Sequence, residues 1–507
     1  MFVRKKPNKS GSFSIQIIDK SSGSYRVVMT VGSSKDPIKL ERLWRKAHFL
    51  IPELSGQFTL DLLTEEDHMV HNFLSESHLK VRVTGPEQIL GKIFDSIGFN
   101  QIDDELFRHL VITRLVYPGS KLKTIDYLAR YKGIILQVDQ LYRFLDKLSH
   151  MHKPELERLS FEYTKKVLRG NLGVVFYDMT TLYFEASDED EFRKPGFSKD
   201  GKHQHPQIYL GLLVGKNGYP IGYELFDGGI YEGHTFIPVI NRFEEKFGLQ
   251  KPIIIADAGL LSGENIKALE MSGYKYILGA RIKNESEAIK EQILSLGLSD
   301  GQHSVINKGK GQRLIISYKD SRARKDLHNR SRGLKRLEEK VKKKKLTKAH
   351  INNRGYNKYL KLKGKISIEI DYEKFQTDAQ WDGLKGYVTN SSLASKTIIE
   401  NYNNLWHIER AFRISKTDLK IRPIYHRIKQ RIEAHISISF AAYTIYKELE
   451  RLLYKENAPF SAQRALELTQ TIYSLDYSLP NSKKQESVSI SLDKEQKILL
   501  AIISKTP

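Results

Sequence analysis

Three acids of the 507-residue chain sit in stretches where an acid is costly. Asp178 lies in the middle of "LGVVFYDMTTLYFE", Asp257 ends the run "KPIIIAD", and Glu409 falls within "NYNNLWHIERAFRISKTDLKIRP". An unpaired carboxylate in apolar surroundings costs several kcal/mol, so two or three brought together need a proton or a cation. The chain has no cysteine, which removes disulfides, thiolate ligands and thiol nucleophiles. What remains for a carboxylate cluster is a hard cation held by oxygen, magnesium first, with manganese able to replace it. Two such ions about 4 Å apart activate an attacking water or 3′ hydroxyl and stabilise the leaving oxygen of an in-line displacement at phosphorus. Phosphodiester cleavage and strand transfer is the leading chemistry. Singly, each acid has a plainer reading: Asp178 as a hydrogen-bonded strand acid, Asp257 as a turn residue, Glu409 as a surface acid paired with Arg413 one turn on.

The elements around them follow from periodicity. The Asp178 segment is a nearly continuous apolar run, the look of a strand buried on both faces. "QIYLGLLVGKNGYPIGYELFDG" gives two further strands joined by a Lys-Asn-Gly turn, and Phe236 to Phe247 reads as a helix. A short strand Ile253 to Ala256 ends at Asp257, and a helix follows with Ser262 as N-cap. "LKGYVTN" returns to the sheet before the Glu409 helix, in which Leu405, Ile408, Phe412 and Leu419 form the buried stripe. Tyr402, Glu409 and Lys416 are seven apart, close to two helical turns, so one continuous helix would set them in a column about 10 Å apart.

The flanks divide as follows. Residues 1–85 begin with a small β-hairpin around Ser-Ser-Gly-Ser, and 86–170 are helical. Within the latter, Lys121 to Tyr131, Gly133 and the helix from Asp139 have helix-turn-helix dimensions, with Arg143 and Lys147 exposed to a DNA groove. Residues 171–283 with 384–450 make the catalytic domain, 284–383 an inserted β-rich basic subdomain carrying "SRARKDLHNRSRGLKRLEEKVKKKKLTK", and 451–507 a C-terminal helical region. The basic run reads as contact with a phosphate backbone, or as a solvated helix. His203 with His205, and His426 with His435, read as surface or hydrogen-bonding residues rather than ligands, and Trp381 and Trp406 as core. A net charge of +22 and a pI near 9.5 call for a polyanionic partner, nucleic acid ahead of membrane. No signal-type segment and no apolar run near 20 residues is present, so a cytoplasmic protein is expected.

In order, the elements are strand with Asp178, two strands, helix, strand ending in Asp257, helix, insertion, strand, and helix with Glu409. That is the order of an α/β, ribonuclease-H-like mixed sheet, in which the first and fourth strands are neighbours and a late helix brings a third acid to the same edge. From "ITRLVYPGSKLKT" through "YDMTTLYFE", "GFSKDG" and "IIIADAGLLS" to "LWHIERAFRISKTDLKIRPIYHR" and "RIEAHI", the chain resembles the DDE transposases of bacterial insertion sequences carrying a Y-R-E-K signature. The resemblance implies that Asp178, Asp257 and Glu409 are the catalytic triad and bind two Mg²⁺ ions, and that Tyr402 and Lys416 contact the transposon end. The signature arginine falls on Leu405, and Arg413 or Arg410 is the candidate to replace it. It further implies cut-and-paste transposition by a homodimer bridging double-stranded DNA at two terminal inverted repeats and joining them to target DNA. A structure-selective nuclease and a catalytically silent, domesticated DNA-binding protein stand as alternatives.

Overall fold

The computed structural model describes residues 1–505 except 57–64, 77–78, 187, 199–200, 231–234, 249–250, 261, 344–345, 348–349, 353–354, 364–366 and 480–483. The end of the basic run, from residue 344, lies partly outside the described residues. The chain forms two compact units, one of Met1–Leu79 with Tyr477–Glu486 and one of Lys80–Asp476 with Ser487–Pro507.

In the smaller unit, Phe13–Asp19 pairs antiparallel with Arg26–Ser34, and Phe2–Pro7 adds a third antiparallel strand. A helix over Pro37–Leu54 starts at Asp36, whose carboxylate accepts from the Ile38 amide at 2.9 Å. Val3, Ile15, Ile17, Leu40 and Ala47 make its core.

The larger unit is organised by one eight-stranded mixed sheet. Its strands are β1 (Val174–Tyr183), β2 (Gln207–Val214), β3 (Pro220–Asp227), β4 (Ile253–Ala256), β5 (Tyr276–Ala280), β6 (His303–Gly309), β7 (Gln312–Tyr318) and β8 (Leu384–Thr389). Their order is β6-β7-β8-β5-β4-β1-β2-β3. β1 pairs antiparallel with β2 and parallel with β4, β4 is parallel to β5, and β5 is antiparallel to β8. The β2–β3 turn puts Asn217 at φ 62° and Gly218 at φ 78°, the left-handed pair that an Asn-Gly hairpin demands.

Both faces of the sheet are covered, as the apolar runs require. Val175, Tyr177 and Met179 of β1 join one core with Ile254 and Ala256 of β4 and with helix α1 (Phe236–Phe247). The alternate residues Phe176 and Ile255 join the other core. That second core contains the helical region from Glu87 to Val167 and three late helices: α4 (Ser395–Asn403), α5 (Trp406–Arg413) and α6 (Lys429–Lys455), the last buried along most of its length. Helix α2 (Gly263–Met271) follows β4 and is capped by Ser262, which accepts from the Asn265 amide at 3.1 Å.

The strand β5, "YILGA", is absent from the sequence reading because five residues are too few to show a period. The hairpin of β6 and β7 extends the main sheet through β8. What stands apart is helix α3 (Asp320–Lys342) with the hairpin Leu360–Lys363 and Ser367–Ile370, which share a small core of Leu337, Tyr359, Leu360 and Ile370. The C-terminal region also contains strands, Tyr473–Ser478 and Gln485–Ser489, besides helices at Ala462–Thr469 and Lys494–Ser504. No helix among the described residues is long and apolar enough to cross a membrane.

Candidate active site

Register fixes two of the acids. Tyr177 of β1 is opposite Ala256 of β4 in parallel pairing, so the next residue on each strand is an aspartate, Asp178 and Asp257. Neighbouring strands lie about 4.8 Å apart. With period two, residues following Tyr177 and Ala256 point to the opposite face from them, the face covered by α4 and α5. Asp178 is half-buried and Asp257 is exposed at the carboxyl end of its strand, the edge at which open α/β sheets form their sites.

Glu409 arrives from α5. Ile408 is fully buried beneath it and Leu405 and Phe412 flank that contact, all in the core on this face, while Glu409 itself is exposed. No hydrogen bond or ion pair engages Glu409 among the described residues, so the alternative pairing with Arg413 is not formed. The single column of Tyr402, Glu409 and Lys416 is not formed either. Helix α4 ends at Asn403, Asn404 and Leu405 turn, and Lys416 sits in a wide turn over Ile414–Asp418. Asn403 and Asn404 favour capping over helix interiors, and a wide turn spends more residues per revolution than an α-helix, so the seven-residue spacing no longer keeps one face.

Tyr402 reaches the acids by another route. It is buried, its ring meets Tyr387 edge to face at 5.0 Å, and its hydroxyl donates to Asp257 Oδ1 at 3.0 Å. Burial pushes the Tyr402 hydroxyl up from its ordinary pKa, and the charges of Asp257 and Glu409 add to that, so it stays a proton donor. Gly279 of β5 makes this possible, because a Cβ there would overlap the Tyr402 hydroxyl. Lys385 of β8 completes the group. Its ammonium lies 4.4 Å from the Tyr402 ring centre and 5.5 Å from that of Tyr387. Burial lowers its pKa, Arg322 adds to the lowering, and Asp257 and Glu409 oppose it, which puts both acids within electrostatic reach of one amine. Lys385, Gly279 and Tyr387 escaped the sequence reading. The available signal was a lysine in register with Tyr387 on the inward face of "LKGYVTN".

Three carboxylates are a donor set that suits a hard divalent ion in kind. As arranged, however, no group of three His, Asp or Glu among the described residues is placed to hold one. The Tyr402 hydroxyl and the Lys385 ammonium face the acids instead.

The remaining candidates are dispersed. Arg410 pairs with Glu450 of α6, whose other oxygen takes Lys447 at 2.5 Å. Arg413 is exposed near Asp418, and Lys416 is half-buried. Leu405, at the signature arginine position, is buried in the core. Arg143 is exposed on the helix Val138–Lys147, and Lys147 pairs with Asp104 at 3.0 Å. His203 accepts from the Ser198 amide and His205 bonds the Phe184 carbonyl, so neither forms a metal pair with the other.

A mixed sheet carrying acids at its carboxyl edge beneath two helices is the frame of an α/β enzyme domain. Residues 170–445, more than half of the chain, match the family model described as a transposase DDE domain, and the chain belongs to that family. The family is one of DNA-cleaving transposases, and DDE transposases use divalent metal ions. Among solved structures, a piggyBac transposase synaptic complex with hairpin DNA is similar at 10% identity, covering 76% of each chain with a TM-score of 0.40. No curated protein matches the chain.

Proposed function

We propose that this chain is the transposase of an insertion sequence, cutting its terminal inverted repeats and joining their 3′ ends to target DNA. The observation that carries the reading is the register of β1 and β4, which sets Asp178 beside Asp257 on the face under the Glu409 helix in a chain of this family. The strand order β3-β2-β1-β4-β5, with β1 parallel to β4, supports reading that core as ribonuclease-H-like.

In this reading Asp178, Asp257 and Glu409 hold Mg²⁺, or Mn²⁺ in its place, as a pair of ions. Bound ions of this kind activate the attacking oxygen and take up charge on the leaving one. The chain's own groups do the rest. Tyr402 holds the Asp257 carboxylate through its hydroxyl, and Lys385 balances the acids from the sheet side. Lys385, within electrostatic reach of Asp257 and Glu409, would offer its ammonium to a phosphate brought to those acids. Lys416, Arg413 and the exposed Arg143 contact DNA backbone, with Arg410 and Lys147 more firmly tied by their acid partners. A homodimer bridges two ends.

A second reading, a DNA-binding protein without cleavage, is favoured by two observations: Leu405 at the arginine position, and acids not arranged for an ion. The discriminating experiment is cleavage of a duplex bearing the element's end with Mg²⁺ or Mn²⁺. Cleavage lost in Asp178→Asn, Asp257→Asn and Glu409→Gln supports the transposase. Binding without cleavage by the wild type supports the silent binder.

A further inference from the structure

Beyond the acid edge lies a second charged site of opposite sign. A cavity of about 820 Å³ opens between the end of the helix Glu105–Val116, the turn 117–120, the start of the helix Lys121–Tyr127 and the segment 420–426. Arg114, Lys121, Lys420, Arg422, His426 and His435 line it, and among the described residues no aspartate or glutamate does.

Two of these cations are unusual. Arg114 is 4% exposed and Lys121 is 5% exposed. Lys121 makes no hydrogen bond or ion pair among the described residues, and Arg114 makes one long bond, 3.5 Å to the Leu419 carbonyl, with five donors to satisfy. Charged groups are almost never buried to this degree unless something pairs with them. The neighbours do not help. Burial pulls Arg114 down to about 10 and Lys121 well below the ordinary lysine value, and Arg114 pushes Lys121 further. His426 is pushed down to about 3 by burial and then by Lys121, Arg114 and Arg431. His435 is depressed by burial and by the same two cations, and its Nε2 bonds the Ile421 carbonyl at 2.9 Å. Arg431 is already taken by Asp146 at 2.8 Å.

We propose that this cavity is a phosphate-binding site, in which Lys121 and Arg114 close on the oxygens of one phosphate group. A guanidinium and an ammonium converging on one oxyanion is the pairing that phosphate recognition favours. The phosphate has two possible sources, the backbone of bound DNA or free phosphate. The site's position suits the first. Ile424, between the lining residues Pro423 and Tyr425, pairs beside the end of β1, bridging to Phe184 in parallel and donating its amide to the Tyr183 carbonyl at 3.1 Å. Asp178 is on that same strand, about 16 Å from Tyr183 at 3.3 Å per residue. A nucleic-acid backbone leaving the acid edge along β1 would reach the cavity. The inference stands independently of whether the acids cut DNA.

The test uses the full chain and Lys121→Met, which keeps the volume and removes the charge. Thermal unfolding is followed with inorganic phosphate against chloride at equal ionic strength, and binding of a short duplex is followed against salt. Phosphate is expected to raise the wild-type midpoint by several degrees and to leave Lys121→Met unmoved. Without phosphate, the variant is expected to be more stable than the wild type, because an unpaired buried charge is gone; a purely structural lysine would give the reverse. Duplex affinity about tenfold weaker in the variant, with a salt slope shallower by about 1, assigns the phosphate to DNA. Unchanged duplex affinity beside a lost phosphate effect assigns it to free phosphate. If Lys121→Met does not fold, Arg114→Lys replaces it, keeping the charge and losing the forked donor. Absence of any phosphate-specific stabilisation in the wild type, with duplex binding indifferent to either substitution, overturns the proposal.

Discussion

The acidic edge and the basic cavity are opposite solutions to the same electrostatic problem. At the edge, Asp257 and Glu409 are exposed, and what they lack in fixed partners is supplied by water, by the Tyr402 hydroxyl and by one lysine, Lys385. In the cavity, Arg114 and Lys121 are buried, and among the described residues no acid lines the walls. Like charges that reach water can stand together at little cost, because solvent screens them. Like charges withdrawn from water cannot, so a missing counterion says more about function in the cavity than at the edge. Both regions point to phosphate chemistry, one through the cations it would gather and the other through the cations it already has.

The largest effect separates chemistry from binding. Asp178→Asn, Asp257→Asn and Glu409→Gln should each lower cleavage by about 10³-fold or more, corresponding to roughly 4 kcal/mol of barrier. Duplex affinity, measured by equilibrium binding, should stay within about threefold, since no carboxylate attracts a backbone phosphate. An acid whose amide retains full cleavage drops out of the site.

Next comes the packing that lets Tyr402 reach the acids. Gly279→Ala puts a methyl where the Tyr402 hydroxyl lies and should destabilise the chain by about 1–3 kcal/mol in denaturant unfolding, with a fall in cleavage. Unchanged stability would show that the tyrosine is free to move aside, and that its contact with Asp257 is incidental.

Acid sharpens the contrast from the basic side. Burial, and then the charges of Lys121 and Arg114, push His426 down to about 3, well below an unfolded histidine. Between those values the unfolded state binds more protons, so stability rises with pH and falls on acidification, with a limiting slope of about 1.4 kcal/mol per pH unit. His426→Gln should flatten that slope between pH 6 and about 4. Phosphate should flatten it too, by favouring the protonated ring.

The smallest effect is Tyr402→Phe, which removes one hydrogen bond to a partly solvated carboxylate. It should cost about 1 kcal/mol of stability or less, with a larger relative effect on cleavage than on folding. Equal losses in both would reduce Tyr402 to a packing residue.

The sequence made the sheet's centre legible because β1 and β4 are apolar runs marked by a lone acid, Asp178 in the middle of one and Asp257 at the end of the other. It made the capping of α2 by Ser262 legible because capping is local chemistry. It hid β5, whose five residues carry no period, and with it Gly279. The break between α4 and α5 was also hidden: buried positions at Leu405, Ile408 and Phe412 fit an uninterrupted helix as well as a broken one. Lys385 reaches Asp257, and Arg114 and Lys121 reach the segment 420–426, across long separations in sequence. A cation's missing partner is a property of the folded surroundings, and no local pattern records it.

The central claim is that the acids at the β1–β4 edge cut DNA. The most direct test is Mg²⁺- or Mn²⁺-dependent cleavage of a duplex carrying the element's own end, comparing wild type with Asp257→Asn. The account predicts cleavage at the end boundary by the wild type and its loss in the variant, with binding retained. Tight, metal-independent binding with no cleavage by the wild type would contradict it.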